Sequence, residues 1–323
     1  MWSSLNQLEI DHDDPRYSDA ERRILARLGD YAALIVGPLN LRPKAAALHT
    51  RSADRIEVRV STPSQHVLLV IAPESDLAPE VAWLRALAGA RLPIPRLLAH
   101  DLSCTTVPFT YAIESYTTGG PLDWLDDGPR MRVAARQVGR TLRRAHQTMA
   151  AGFGRPSPAG RWSARSWPDA LRAWLAPGEI LTRAGELLGA EGLAALRAAT
   201  LDHPALAGER PQLLHGAPEP ARVLVTVGEA VQVEALTRPA ELIGGDPLFD
   251  LAYAQLARHP GAFRQGVYEG YTALGPLDAA QEGRLRRLGL LLQLADALRG
   301  NQPEAVERLP DMVAGELREL GNS

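Results

Sequence analysis

Gly119-Gly120-Pro121 divides the sequence into two textures, and nothing else in the 323 residues divides it so sharply. Before it, short β-branched runs alternate with a single well-patterned helical segment, and beyond it the 3.6-residue period dominates. That order predicts an α+β chain of two lobes. A strand-rich lobe with one helix spans residues 1–118, and a larger, mainly helical lobe spans 119–323.

In the first lobe, residues 56–60 and 67–72 read as strands. They are joined by Ser61-Thr62-Pro63-Ser64-Gln65, whose Pro and Ser residues suit a hairpin connection. Leu77, Val81, Leu84 and Ala88 fall on one helix face, with Glu80 near its start, and Pro93 and Pro95 stop the pattern. Residues 96–100 and 109–115 read as two more strands. A short helix is expected over residues 16–29, behind Ser18 as cap and Asp19 and Glu21 in its first turn. In the second lobe, Ala135, Val138, Leu142 and Ala145 share a face that ends at His146. A Gly/Pro/Ser-rich loop covers residues 152–160, and another helix follows from Asp169. One strand pair interrupts the helices, Val223-Leu224-Val225 and Val231-Gln232-Val233, and Leu285, Leu288, Leu292 and Ala295 form a late helical stripe.

Composition excludes several classes of function. Apolar residues make up 46% and charged residues 23%, values of a folded globular chain rather than a disordered or fibrous one. A formal net charge of -3 with no long run of like charge argues against nucleic acid as a partner and against a membrane surface. Cys104 is the only cysteine, so neither an internal disulfide nor a cysteine-based zinc site can form. Glu9, Asp11, Asp13 and Asp14 stand where a secretory signal would be basic, and Arg286, Arg287, Gln293 and Asp296 interrupt the late apolar stretch 285–298. A cytoplasmic protein is expected. Lys44 is the only lysine, which the Ala, Arg, Gly and Pro bias of a GC-rich genome explains without appeal to function.

The chemistry-bearing pattern is LLHGAPEPARVLV, residues 213–225, placed directly before the Val-rich strand pair and about 30 residues before GGDPLFDLAYA, residues 244–254. A His-Gly pair alone carries no information, whereas its position before a hairpin and a distant Asp-Pro and Asp does. The first segment resembles, without gaps, the catalytic loop of aminoglycoside and choline phosphotransferases, which reads LLHGDLHPGNVLV in typical members. The second is similar to the GDPxxDLA segment of that family. Residues 77–101 and 152–171 also resemble family members, so the likeness covers roughly residues 67–300 in the right order. It implies a bilobed protein-kinase-like fold.

The resemblance also implies which parts phosphoryl transfer needs: a loop over the phosphates, a cation on them, metal ligands, and a carboxylate for the hydroxyl proton. The family's proton-accepting aspartate falls on Ala217. Its magnesium-binding asparagine falls on Arg222, a permanent cation that cannot ligate a metal. The second metal ligand falls near Glu234 or Ala235, of which only Glu234 could serve, and the strand lysine falls on Leu69, with Arg59 the best substitute cation. Residues 38–88 contain no glycine to let backbone approach phosphates. His215, Gly216, Asp246 and Asp250 match, and the family uses the histidine and the later aspartate to brace the loop. Glu80 matches the helix glutamate that pairs with the strand lysine. With Leu69 opposite it, Glu80 reads as a solvated helix residue, and Asp246 reads as an N-cap before Pro247. Arg222 and Glu234 either meet as an ion pair filling the metal position, or Arg222 points to solvent.

These substitutions predict a phosphotransferase-like pseudokinase that binds a small molecule or a protein or peptide partner, in a bacterial biosynthetic or resistance pathway, with no cofactor and no metal. One alternative is an ATP- and magnesium-dependent small-molecule phosphotransferase with relocated groups, Glu219 as base, Glu234 as ligand, and Arg59 or Arg222 on phosphate. A second is different chemistry in the cleft that the resemblance implies, with Glu219, Glu234 and His215 as acid/base groups.

Overall fold

The computed structural model describes residues 1–8, 17–52, 54–208, 210–300 and 303–321. The acidic positions Glu9, Asp11, Asp13 and Asp14 lie outside the described residues. Backbone contacts divide the chain into two compact units. One comprises residues 1–88, 95–117 and 158–160, and the other residues 89–94, 118–157 and 161–323.

The first unit begins with helices α1 (Asp19–Leu25) and α2 (Leu28–Val36), where a single helix was expected. Ser18 caps α1 as its sequence suggests, its Oγ accepting the Glu21 amide at 3.1 Å. Strands β1 (Ala45–Ser52), β2 (Arg55–Ser61) and β3 (His66–Ala72), helix α3 (Ala78–Ala86), and strands β4 (Leu97–Asp101) and β5 (Thr110–Ser115) follow. They build one antiparallel sheet in the order β1-β2-β3-β5-β4. The β2–β3 hairpin forms as expected, with Val58 opposite Leu69 and Val60 opposite Val67. Strand β1 has no sequence forecast, because AAALHTRS is mostly small or exposed and lacks the alternation that marks a half-buried strand.

Both sheet faces are covered, so β3 reads as a continuous apolar run rather than an alternating one. On one face, Ile56, Val58, Val60, Val67, Leu69, Ile71 and Ile113 pack with Leu25, Leu28 and Val36 of the N-terminal helices. On the other, Val70, Ala72 and Ala112 pack with Leu77 and Val81 at α3. Successive side chains point to opposite faces, so neighbours in sequence along β3 serve different cores.

The second unit holds strand β6 (Gly120–Pro121), helix α4 (Pro129–Ala145), strands β7 (Phe153–Pro156) and β8 (Trp162–Ala164), and helices α5 (Trp167–Leu175) and α6 (Ile180–Ala199). Strands β9 (Gln212–Leu213), β10 (Val223–Val227), β11 (Val231–Leu236) and β12 (Gly244–Gly245) follow. The chain then runs through helices α7 (Leu248–Ala254), α8 (Gly261–Thr272), α9 (Ala279–Gly300), α10 (Pro303–Glu307) and α11 (Leu309–Gly321). Strand β10 pairs with β11 and β6, so the expected hairpin is present and Gly120-Pro121 extends it. Helix α4 buries Met131, Ala134, Ala135, Val138 and Leu142 against α8. The two helices approach so closely that a Cβ on Gly139 would lie 2.2 Å from the Val267 carbonyl oxygen. The late stripe buries Leu288, Leu292 and Ala295 in α9. Among the described residues, no helix is long and apolar enough to cross a membrane.

Candidate functional site

The loop before β10 is held from beneath by one carboxylate. Asp250, on the first turn of α7 and fully buried, accepts the His215 amide at 2.6 Å on Oδ2 and the Gly216 amide at 2.7 Å on Oδ1. Its Oδ2 also takes His146 Nε2 at 3.0 Å, while His146 Nδ1 meets the Tyr271 hydroxyl at 3.0 Å. A buried carboxylate needs such donors, and four groups from three parts of the unit are thereby fixed around it. Gly216 sits at φ +83°, and a Cβ there would lie 2.6 Å from the Leu242 carbonyl oxygen, so glycine is required by both conformation and space. The His215 ring contacts the Thr237 carbonyl through Nε2 at 3.0 Å, and burial pushes its pKa down to about 4, which keeps it neutral. His215 and Asp250 thus lie where a bracing role puts them.

Ala217 follows with its methyl group buried. Arg222 ends the short turn Pro220–Arg222, and its Nε reaches Glu219 Oε1 at 2.7 Å while one Nη donates to the Arg238 carbonyl at 2.7 Å. The expected Arg222–Glu234 pair does not form, and Arg222 does not simply point to solvent. Val223 pairs with Leu236, so the residue across the hairpin from Arg222 is Thr237, whose amide donates to the Arg222 carbonyl at 2.8 Å. Glu234 lies further along β11, beside the bulge between Leu224 and Val225, and accepts the Thr226 hydroxyl at 2.6 Å. A bulge changes which residue opposes which, and a spacing count across an antiparallel pair does not see it.

Glu219 is equally committed. Besides Arg222, its Oε2 lies 3.4 Å from Arg258 and 3.5 Å from the Tyr253 hydroxyl, and Arg258 also contacts Tyr253 and Asp296. Burial works against the charged carboxylate, but the Arg222 and Arg258 guanidinium groups outweigh it and hold Glu219 below the usual range. A carboxylate so stabilised is a weak proton acceptor. Asp246 lies just ahead of α7 and forms an Asx turn, its Oδ1 accepting the Leu248 amide at 3.0 Å, and its Oδ2 takes Arg284 Nε at 2.9 Å. Pro247 holds the cap position that the sequence assigned to Asp246, and the Arg284 bond is an addition to the sequence reading.

In the first unit the sequence reading needs correction at three residues. Glu80 is not solvated: it is 5% exposed and forms a two-pronged pair with Arg55, at 2.5 and 2.9 Å. Arg59, the substitute expected for the strand lysine, is exposed on β2 and lies over the Tyr116 ring at 5.7 Å, and Arg55 is the strand cation that meets Glu80. Leu69 does not oppose Glu80, because it belongs to the core under α1 and α2, and the α3 face of β3 is lined by Leu68 and Val70 instead. The missed residues are Arg55, Glu57 and Glu114. Arg55 Nε also binds Glu57 at 2.5 Å. Burial opposes the Arg55 charge, yet the carboxylates of Glu80, Glu57 and Glu114 hold its proton more tightly than usual. Burial, with the Glu80 charge next to it, raises Glu114 well above the normal carboxylate range. The signal for this cluster was Arg-x-Glu at residues 55–57 inside an apolar strand, since residues two apart share a sheet face.

A magnesium ion does not match the side chains of this loop and hairpin. A magnesium ion asks for oxygen ligands. The loop and hairpin present a guanidinium at Arg222 and a hydroxyl at Thr237, while Glu219 is tied to two arginines. Among the described residues, no group of three or more His, Cys, Asp or Glu side chains is placed to hold a metal ion.

Comparison with solved structures places the fold. A thermostable mutant of aminoglycoside phosphotransferase APH(4)-Ia, in ternary complex with ADP and hygromycin B, superimposes with a TM-score of 0.62 at 18% identity, covering 91% of this chain and 98% of that one. A macrolide 2'-phosphotransferase from Brachybacterium faecium, as apoenzyme, gives a TM-score of 0.55 at 18% identity over 89% of this chain and 97% of that one. No curated protein sequence matches the chain. The model of the phosphotransferase enzyme family (APH) matches residues 47–285, and with this coverage the chain belongs to that family.

Proposed function

We propose that this member of the phosphotransferase family is a pseudokinase, which keeps the architecture of the loop and has lost phosphoryl transfer. The observation that carries the reading is the pair Ala217 and Arg222. The first offers a buried methyl group at the position that the resemblance assigns to the proton acceptor. The second is anchored by Glu219 and the Arg238 carbonyl at the position assigned to a metal ligand. Nothing chemical at residue 217 can accept a proton, and nothing at residue 222 can ligate a cation. The substitute base considered from sequence, Glu219, is stabilised as an anion by two arginines, which weakens the reading of an active enzyme with relocated groups.

In this reading the protein works without a nucleotide cofactor and acts by binding, its ligand a small molecule or a peptide segment of a partner. The test is thermal denaturation with ATP and with ADP, each with and without magnesium, because a ligand that binds only the native state raises the midpoint. No magnesium-dependent rise is expected. A rise that requires magnesium, accompanied by release of ADP from ATP, would return the chain to the active enzymes.

A further inference from the structure

A cavity of about 290 Å³ opens in the second unit, among the ends of α4, α7, α8 and α9. Its wall is polar and one-signed. Arg143, Arg284, His146 and Tyr271 line it together with Gln147 and Gln281, and no Asp or Glu is among its lining residues. The two arginines are placed differently. Arg284 uses Nε on Asp246, at 2.9 Å, and among the described residues its two Nη groups make no hydrogen bond. Arg143 has no carboxylate partner among the described residues, and its guanidinium carbon lies over the Tyr271 ring, 4.9 Å from the centroid. Stacking on an aromatic face orients a guanidinium, and with one Arg143 N–H engaged by Tyr271 the rest of its fork remains for a ligand.

We propose that this cavity binds a small molecule bearing an oxyanion, a phosphate or carboxylate group, held between the guanidinium groups of Arg143 and Arg284. Two planar forks on one cavity wall, with side-chain amides beside them, are a donor set suited to such a group. The Tyr271 hydroxyl is the third element. Burial pushes its pKa up to about 12, so it stays a neutral hydroxyl, and its contact with His146 fixes it on the buried side of the wall. The site is separate from the loop residues that carry the pseudokinase reading. Its volume is at the small end of ligand pockets, which favours a compact acid over a nucleotide.

The test is isothermal titration calorimetry of the full chain, without magnesium, using inorganic phosphate in one arm and citrate in the other. Saturable binding in the millimolar range or tighter is expected for at least one probe, and the arm that binds says which oxyanion is preferred. Arg143→Gln should weaken that binding about tenfold or more. Gln281→Glu should do the same by placing a negative charge on the wall. It also guards against misfolding, because Gln281 Oε1 accepts the Asp278 amide at 3.0 Å while Asp278 Oδ1 accepts the Gln281 amide at 2.8 Å, a reciprocal cap that glutamate also makes. Absence of binding by both probes, or binding unchanged in a folded Gln281→Glu variant, would overturn the assignment.

Discussion

Two arginines, Arg55 in the first unit and Arg222 in the second, are held in opposite ways. Arg55 is enclosed on the α3 face of the sheet with Glu57, Glu80 and Glu114, all buried, so one guanidinium pairs with two carboxylates while burial pushes the third carboxyl group toward its neutral form. Arg222, whose side chain is 26% exposed, meets one carboxylate within its own turn and caps the Arg238 carbonyl. The first arrangement is an internal electrostatic joint between strand β2 and helix α3. The second is a local clamp on a loop. Coulombic interactions gain strength as water is excluded, and the penalty for leaving one partner alone grows with them.

The largest expected effect therefore lies in the first unit. Arg55→Met should destabilise the fold by about 3–5 kcal/mol, because buried carboxylates lose their counter-charge. Adding Glu80→Met should restore part of that loss, which urea denaturation of the single and double variants measures. Failure of the single variant to destabilise would show that the cluster has little role in holding α3. Ala217→Asp comes next, at about 1–3 kcal/mol, since it places a carboxyl group at a buried position. It should not create transfer activity, as Arg222 and Thr237 remain.

A pH effect follows from His215. Its pKa of about 4 lies below the unfolded value near 6.5, so between these values the unfolded chain takes up a proton that the native chain refuses. The contribution of His215 to stability is full above pH 6.5 and falls as the pH drops toward 4, by about 1 kcal/mol at pH 5.5. His215→Gln should flatten that part of the urea-midpoint profile, and an unchanged profile would assign the acid sensitivity elsewhere. The smallest effect is expected for Arg222→Asn, about 1 kcal/mol or less, because a partly exposed pair within one turn is weak. Magnesium affinity should not appear with it. Calorimetry with magnesium chloride checks this, and saturable binding would mean that the arginine alone excludes the ion.

The same contrast explains how much of the molecule its sequence disclosed. The β2–β3 hairpin, the β10–β11 pair and the α9 stripe follow from periodicity and turn residues, which are local properties. The loop braced by Asp250 was legible through the resemblance of two separate segments, residues 213–225 and 244–254, to the family. Arg55 was not legible. Its partners lie 25 and 59 residues away, and the side on which a strand residue falls depends on register, where an error of one residue moves Leu69 from one core to the other. The Arg222–Glu219 pair needed only a three-residue turn, but the family resemblance placed the candidate carboxylate at Glu234, whereas the strand register sets Thr237 across from Arg222 and leaves Glu234 at the bulge. Face parity and bulges are tertiary facts, set by what the sheet packs against.

Loss of chemistry at Ala217 and Arg222 is the central claim, and direct phosphoryl transfer tests it. The purified chain is incubated with ATP radiolabelled at the γ-phosphate, magnesium, and a panel of aminoglycoside, macrolide and amino-alcohol acceptors. The expected result is no labelled product and no phosphate release above a buffer control. Labelled product that disappears in the Glu219→Gln or Glu234→Gln variant would contradict the account.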